Sequence, residues 1–433
     1  MRSPLRRSGY DREIFSLALP ALGALAAGPL YTLVDTAIVG HLGVHQLAAL
    51  ALAGTLLAMV VQLADFLSYG TTAQVARLRA AGRTREAGAV VAQAGWLSLW
   101  TGVLVLVLVL AFASPMLAIL GKGAGVHGEA LLYIRIVAFG LPAQLLALAG
   151  EGCLRGLEDL RTPLRILLLA NGANVALEVL FVYGLHMGLA GSAVGTLIAQ
   201  LGMGVAFALA ILRVPADSRR PSYELIRPLL RTGGDITIRS AALLGAFTLC
   251  SALAARMGAA SLAAHQIAFE LFIFLALVLD AIAIAGQILA ARLLGSDEPG
   301  EAWRAAVRMI QWAFLVGLVF AAGLAALSYA GPRLFTSNAE VLALSHPVWL
   351  LLALMQPLAG IVFALDGILI GAGDTRYLAL AMIAALAVFT GAAFAAQTLT
   401  GLWWALNLLI AARLVTLAPR FAKRRWIVVG ARV

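Results

Sequence analysis

The sequence is poor in charge and in cysteine. Asp, Glu, Lys and Arg make up 12% of its 433 residues, against roughly 25% in soluble globular domains. So little charge excludes an ordinary water-soluble globule of this size. Only two cysteines occur, Cys153 and Cys250, both inside apolar runs, so no disulfide framework or cysteine metal site is implied. The chain has no Walker motif and no cluster of His, Cys and acidic residues at metal-ligand spacing. ATP-driven pumping and metal-dependent hydrolysis therefore have no support, and neither an enzyme nor a cofactor is expected. Gly371-Ala-Gly-Asp374 is reminiscent of an intramembrane aspartyl protease, but that chemistry needs two carboxyls sharing a proton at membrane depth. Asp374 instead stands two residues from Arg376, in what reads as a cytosolic turn.

What is present is apolar. Hydrophobic residues reach 62% and the mean hydropathy is +0.96. The apolar runs are about 20 to 30 residues long, enough at 1.5 Å per residue to span the roughly 30 Å hydrocarbon layer. Twelve spans can be placed, at roughly 14–40, 46–70, 88–113, 131–156, 164–184, 188–212, 233–256, 262–293, 303–330, 343–371, 377–398 and 401–419. The basic start, Met1 to Arg7, ahead of an apolar run from Ile14 resembles a signal peptide; that run is too long, contains Asp35 and lacks a small-x-small exit, so it reads as a retained first span.

The formal charge of +10 is explained by topology rather than by nucleic acid. With the N-terminus inside, 25 of the 31 Lys and Arg residues lie on the cytosolic side, while only Lys122, Arg135, Arg256 and Arg333 lie outside. The positive-inside rule then puts both termini in the cytosol of a multi-pass protein of the inner or plasma membrane.

At a constant offset of 215 residues the sequence repeats itself without gaps. Asp65 meets Asp280, Arg77 meets Arg292, Pro142 meets Pro357, Asp159 meets Asp374, Gly152 meets Gly367 and Gly156 meets Gly371. Such registry of scarce residue types defines two six-span halves. Six is even, so both halves enter from the cytosol as parallel repeats. The expected organisation is an N-terminal lobe over 1–212, a cytosolic linker over 213–232 and a C-terminal lobe over 233–433 with a basic tail.

The fifth span carries Asn171, Asn174 and Glu178 on one helical face. A carboxylate facing lipid costs several kcal/mol, so this stripe must face protein or a cavity. At the repeat offset Asn171 faces Leu386, Asn174 faces Phe389, Glu178 faces Ala393, Asp35 faces Cys250 and Thr196 faces Ala411. Scaffold polarity should recur in both halves; polarity confined to one half points to a site. Glu178 is 13 residues beyond Arg165, or roughly 20 Å above the cytosolic boundary. Thr196 comes down from the outer side to nearly the same level. Asp35 lies late in the first span, which Pro20 and Pro29 can bend. Asp35, Asn174, Glu178 and Thr196 are thus expected to line one cavity.

Several motifs resemble one family. Val34-Asp-Thr36, Leu154-Arg-Gly-Leu-Glu-Asp-Leu-Arg-Thr-Pro163, Asn174-x-x-x-Glu178, Ala263-Ala-His-Gln266 and Gly367-Ile-Leu-Ile-Gly-Ala-Gly-Asp-Thr-Arg376 are together similar to the multidrug and toxic compound extrusion (MATE) transporters. The aspartates ending spans 2 and 8, as in Leu279-Asp-Ala-Ile-Ala283, resemble its DinF branch. The resemblance implies an all-α membrane protein with twelve transmembrane helices in a V-shaped pair of lobes. It also implies monomeric export of organic, often cationic, small molecules in exchange for H+ or Na+. By motif, the cation site falls on Asp35, Asn174, Glu178 and Thr196, with Glu178 standing where the family commonly has Asp. An exporter or flippase of lipid-linked or polyanionic cargo is the rival; it would be expected to place several Arg or Lys in its cleft.

Asn171, Gln200, Glu270, Asp366 and Arg413 are secondary site candidates. Asp235 and Arg239 read as a local i, i+4 ion pair, and Arg413 as a partner of Asp366 or Asp280. Asp65 and Asp280 recur in both halves and read as scaffold. His265 reads as a hydrogen-bonded packing residue.

Overall fold

The computed structural model describes residues 9–120 and 125–431, and every described regular element is helical. Arg2, Arg6, Arg7, Lys122 and Arg432 of the charge pattern lie outside the described residues. The helices are α1 (Gly9–Gly40), α2 (Val44–Leu63), α3 (Phe66–Ala80), α4 (Thr84–Leu120), α5 (His127–Val137), α6 (Leu141–Gly156), α7 (Arg161–Val179), α8 (Gly188–Leu212), α9 (Tyr223–Arg256), α10 (Ala259–Gly295), α11 (Pro299–Ala326), α12 (Ala339–Gly371), α13 (Thr375–Ala395) and α14 (Leu399–Ala422). Taken as α2 with α3 and α5 with α6, they supply twelve helical segments long and apolar enough to cross a membrane. The chain is a multi-pass membrane protein. Large side chains such as Leu33, Leu104, Val107, Phe112 and Val415 stay exposed, as lipid-facing helix surfaces require.

The helices form two compact units. One joins α1 up to Leu22 with the chain from Gly234 onward; the other is Gly23–Gly233. α1 is one continuous helix shared between them, and the stretch read as a linker belongs to the second unit. There its backbone is fastened to α4: Gln93 Nε2 donates to the Arg220 carbonyl at 2.9 Å, Trp96 Nε1 to the Arg219 carbonyl at 2.8 Å, and the Ser222 amide to Gln93 Oε1 at 2.9 Å.

The repeat is a repeat of helix crossings. In the second unit a Cβ on Gly152 would stand 2.2 Å from the Ser68 carbonyl oxygen; in the first, one on Gly367 would stand 2.0 Å from that of Ala283. Ser68 and Ala283 are themselves 215 apart, so α3 crosses α6 as α10 crosses α12. Likewise Gly102 admits Pro142 and Gly317 admits Pro357. Membrane helices gain little from the hydrophobic effect against one another, and small residues that permit close backbone approach replace it.

At the near end of the first unit, Asp11 accepts from Arg308 Nε at 2.6 Å and from Trp312 Nε1 at 2.9 Å. Phe15 meets Trp312 edge to face, and Arg292 pairs with Glu13. The first turns of α1 are therefore held by polar contacts to α10 and α11.

Candidate functional site

Within the second unit, α1, α5, α7 and α8 bring a polar cluster into an apolar interior. Glu178 is fully buried, and Asp35, Asn174 and Thr196 are nearly so. The Tyr31 hydroxyl donates to Glu178 Oε1 at 2.7 Å and lies 3.2 Å from Thr196 Oγ1, which itself reaches Glu178 Oε1 at 3.4 Å. Ser192 Oγ donates to Asp35 Oδ1 at 3.1 Å. The Asp35 and Glu178 carboxyls interact with each other in this cluster, yet Glu178 Oε2 receives a hydrogen bond from no donor among the described residues. Neither carboxyl has an ion pair among the described residues. Two buried acids without a base must be neutralised, by protonation or by a bound cation, because an uncompensated buried charge is costly.

Local sequence explains the assembly. Tyr31 and Asp35 are i, i+4 on α1, and Ser192 and Thr196 are i, i+4 on α8, so each pair shares a face. Asn174 and Glu178 repeat the same spacing on α7. α8 approaches α7 closely because Gly195 has no side chain: a Cβ there would lie 3.2 Å from Glu178 Cγ and from the Glu178 amide nitrogen. α1 is stapled to this pair on both sides of the acids, by Asn171 Nδ2 donating to the Ala27 carbonyl at 3.0 Å and by Tyr183 OH donating to the Ile38 carbonyl at 2.6 Å. Asn171 thus holds helices together rather than joining the cluster.

Tyr31, Tyr133, Ser192 and Gly195 belong to this cluster and carry no motif. Tyr133, buried on α5, interacts with Asp35, Thr196 and Ser192. A signal for two of them was available: at the 215-residue offset Tyr31 faces Ala246 and Tyr133 faces Val348, extending the one-sided polarity of the acids. In the first unit that position of the repeat is packed with carbon, Phe389 in place of Asn174 being fully buried. We expect Gly195→Ala to lower transport several-fold while changing stability by less than about 1.5 kcal/mol, since a tenths-of-an-ångström shift at a tight contact is absorbed by small repacking. Flux and thermal unfolding measured on the same preparation check this; equal transport would show that the α7–α8 spacing does not matter.

The model of the MatE family matches residues 20–180 and 236–410, which fall on nearly the same part of each half. The chain belongs to the MatE family. Among its relatives, Protein DETOXIFICATION 44, chloroplastic, of Arabidopsis thaliana is 33% identical over 446 residues, covering 95% of this chain and 82% of that protein. DNA damage-inducible protein F of Escherichia coli is 30% identical over 436 residues, covering 96% and 93%, in keeping with the DinF resemblance. A crystal structure of MATE in the bent conformation aligns with a TM-score of 0.89 at 21% identity, over 96% of this chain and 97% of that one; the fold is shared.

The secondary candidates of this MatE chain do not join the cluster. Gln200, on α8, is packed against the bend at Gly140, where a Cβ would stand 1.9 Å from its Oε1. Glu270 is exposed on α10 in the first unit and accepts from Gln266 Nε2 at 2.6 Å. Asp366 and Arg413, also in the first unit, form a buried ion pair, and Arg239 joins Asp366 as well. Arg239 therefore corrects the i, i+4 expectation: Asp235 instead accepts from Thr375 Oγ1 at 2.9 Å. The part-buried Arg239 guanidinium is drawn to the buried Asp366 carboxylate, where attraction is least screened, over a neighbour on its own helix. His265 packs as expected, 3.0 Å from Ser251 Oγ and stacked on Phe269. Asp374 lies in the turn before α13, clamped by Arg420 at 2.7 and 3.0 Å.

Proposed function

We propose that this chain is a secondary multidrug exporter. It exchanges organic, often cationic, small molecules for H+ or Na+ by alternating access in the inner or plasma membrane, as a monomer with both termini cytosolic. The observation that carries the reading is the Asp35–Glu178 pair: two buried carboxyls without a basic partner among the described residues, in one half only. A shared proton joins two such groups directly; a sodium ion would use the same oxygens with Thr196 and Asn174, whose Oδ1 has no donor among the described residues. Loading the pair from outside neutralises it and changes the contacts that α1 makes through Tyr31 and Asp35. A ligand shifts a conformational equilibrium only by such differential contacts. One charge moving through 100 mV is worth about 2.3 kcal/mol, or a roughly 50-fold gradient of a neutral compound. A monovalent cation exchanged one for one would draw on the proton or sodium gradient alone.

The DETOXIFICATION name of the plant relative supports a toxic-compound cargo. The polyanion-exporter alternative is not favoured, because Arg239 and Arg413, two arginines inside spans of the first unit, are both engaged by Asp366. The test is efflux of a fluorescent organic cation from proteoliposomes under an imposed pH or sodium gradient. Efflux driven by one gradient and abolished by its collapse is expected. Gradient dissipation without counter-movement of the dye would make the protein a channel and end the proposal.

A further inference from the structure

The second unit holds a cavity of about 620 Å³ at the end that carries residues 213–222, among the ends of α3, α4, α6, α7 and α8. Its polar lining is Arg79, Arg213, Asp159, Thr84 and Thr162, and its apolar lining includes Leu154, Leu157 and Ala210. Neither arginine forms an ion pair among the described residues, and Asp159 takes only the Thr162 amide, at 3.0 Å. Two guanidinium groups, one carboxylate and two hydroxyls thus share a hollow at the end of a membrane helix bundle.

The repeat shows that this hollow is not a by-product of the fold. In the first unit the equivalent place is filled by the protein itself. Thr162 corresponds to Tyr377, whose hydroxyl donates to the Thr416 carbonyl at 2.6 Å and whose ring carries Arg420 at 4.9 Å. Asp159 corresponds to Asp374, which Arg420 neutralises. Gly88 corresponds to Trp303, stacked on Phe421 and, through it, on the buried Trp426. Pro215 corresponds to Gly430, whose amide donates to the Leu294 carbonyl at 3.0 Å, and Leu294 corresponds to Arg79. Proline has no amide hydrogen for that bond. In the second unit the chain turns away at Pro215, whose carbonyl lies over Gly88, 1.9 Å from where a Cβ would be. The bulk and the internal cation present in the first unit are missing from the second, and two arginines and an unneutralised acid stand in their place.

We propose that this cavity binds a phosphate ester bearing an amine, held as the headgroup of an aminophospholipid. Its phosphate sits with Arg79 and Arg213, and its ammonium with Asp159. Guanidinium groups match phosphate oxygens in geometry as well as charge, and basic pockets between membrane helices at this level recognise lipid headgroups. One acid beside two bases selects a zwitterionic headgroup over a purely anionic one. Exposed Leu209 and Leu212 on the adjoining turn of α8 offer acyl chains an apolar surface.

The test is native mass spectrometry of the full-length protein titrated with phosphatidylethanolamine, phosphatidylglycerol and phosphatidylcholine, alongside thermal unfolding in inorganic phosphate or phosphoethanolamine. Phosphatidylethanolamine is expected to be retained at least about tenfold more tightly than phosphatidylglycerol, a difference of about 1.4 kcal/mol. Arg79→Ala with Arg213→Ala should remove that binding, and Asp159→Asn should remove the preference. Thr162→Tyr, which copies the first unit, should block binding while leaving the fold stable, and so serves if the arginine variants do not fold. Equal lipid retention by Thr162→Tyr, or equal stabilisation by soluble phosphoethanolamine and by lipid, would overturn the proposal. The second outcome would assign the cavity to a soluble anion.

Discussion

Asp35→Asn and Glu178→Gln are each expected to reduce gradient-driven efflux at least about tenfold, equivalent to about 1.4 kcal/mol or more of lost coupling. Both substitutions keep shape and a hydrogen-bond acceptor: an asparagine at position 35 would still accept from Ser192, and a glutamine at position 178 from Tyr31. The protein should therefore fold, and thermal unfolding within a few degrees of the parent is the control. What each removes is one of the two charges that call for a cation. The pair acts as a unit, so the double variant should lose little more than either single one. Undiminished efflux by both well-folded variants would sink the site assignment. Loss in one variant alone would reduce the site to a single carboxyl.

Asp366→Asn is expected to be the most destabilising single change of a buried polar residue in the first unit. It leaves Arg239 and Arg413 facing each other without their shared carboxylate, and removing one partner of a buried ion pair costs about 3–5 kcal/mol. Arg413→Gln should cost less, because Arg239 still neutralises Asp366. Thermal unfolding of the purified variants in detergent checks both, with the order of the two melting temperatures as the readout. If Asp366→Asn melted with the parent and lost transport, Asp366 would be a second ion site rather than the tie between α9, α12 and α14.

The parts legible in the sequence are those that depend on position along one helix or on comparing the chain with itself. Asn174 and Glu178 share a face because a helix turns about 100° per residue, and their loss in the other half marks them without any structure. The repeat does not mark Ser192, whose counterpart Asn407 is also polar and buried, or Gly195, whose role is the absence of atoms. Arg239 shows the opposite failure. Its helical neighbour Asp235 gives the expected partner, but it points to a carboxylate 127 residues away. Gln200 and Glu270 had no feature that distinguished a site residue from a packed or exposed one, and geometry separates them from the acids.

The sequence alone determined that this is a twelve-span membrane protein with an internal repeat, whose second half lacks the counterparts of Asp35 and Glu178. Hydropathy, length and internal registry are properties of the chain, and the cost of burying charge in lipid makes them decisive. Tertiary structure decided which residues meet: that Asp35 faces Glu178 under the hydroxyls of Tyr31, Thr196 and Ser192, that α1 up to Leu22 packs with the half from Gly234 onward, and that a charged hollow stands open in one half while its counterpart is filled. These depend on side-chain direction and on helix approach between segments far apart in the chain, which no periodicity along it encodes.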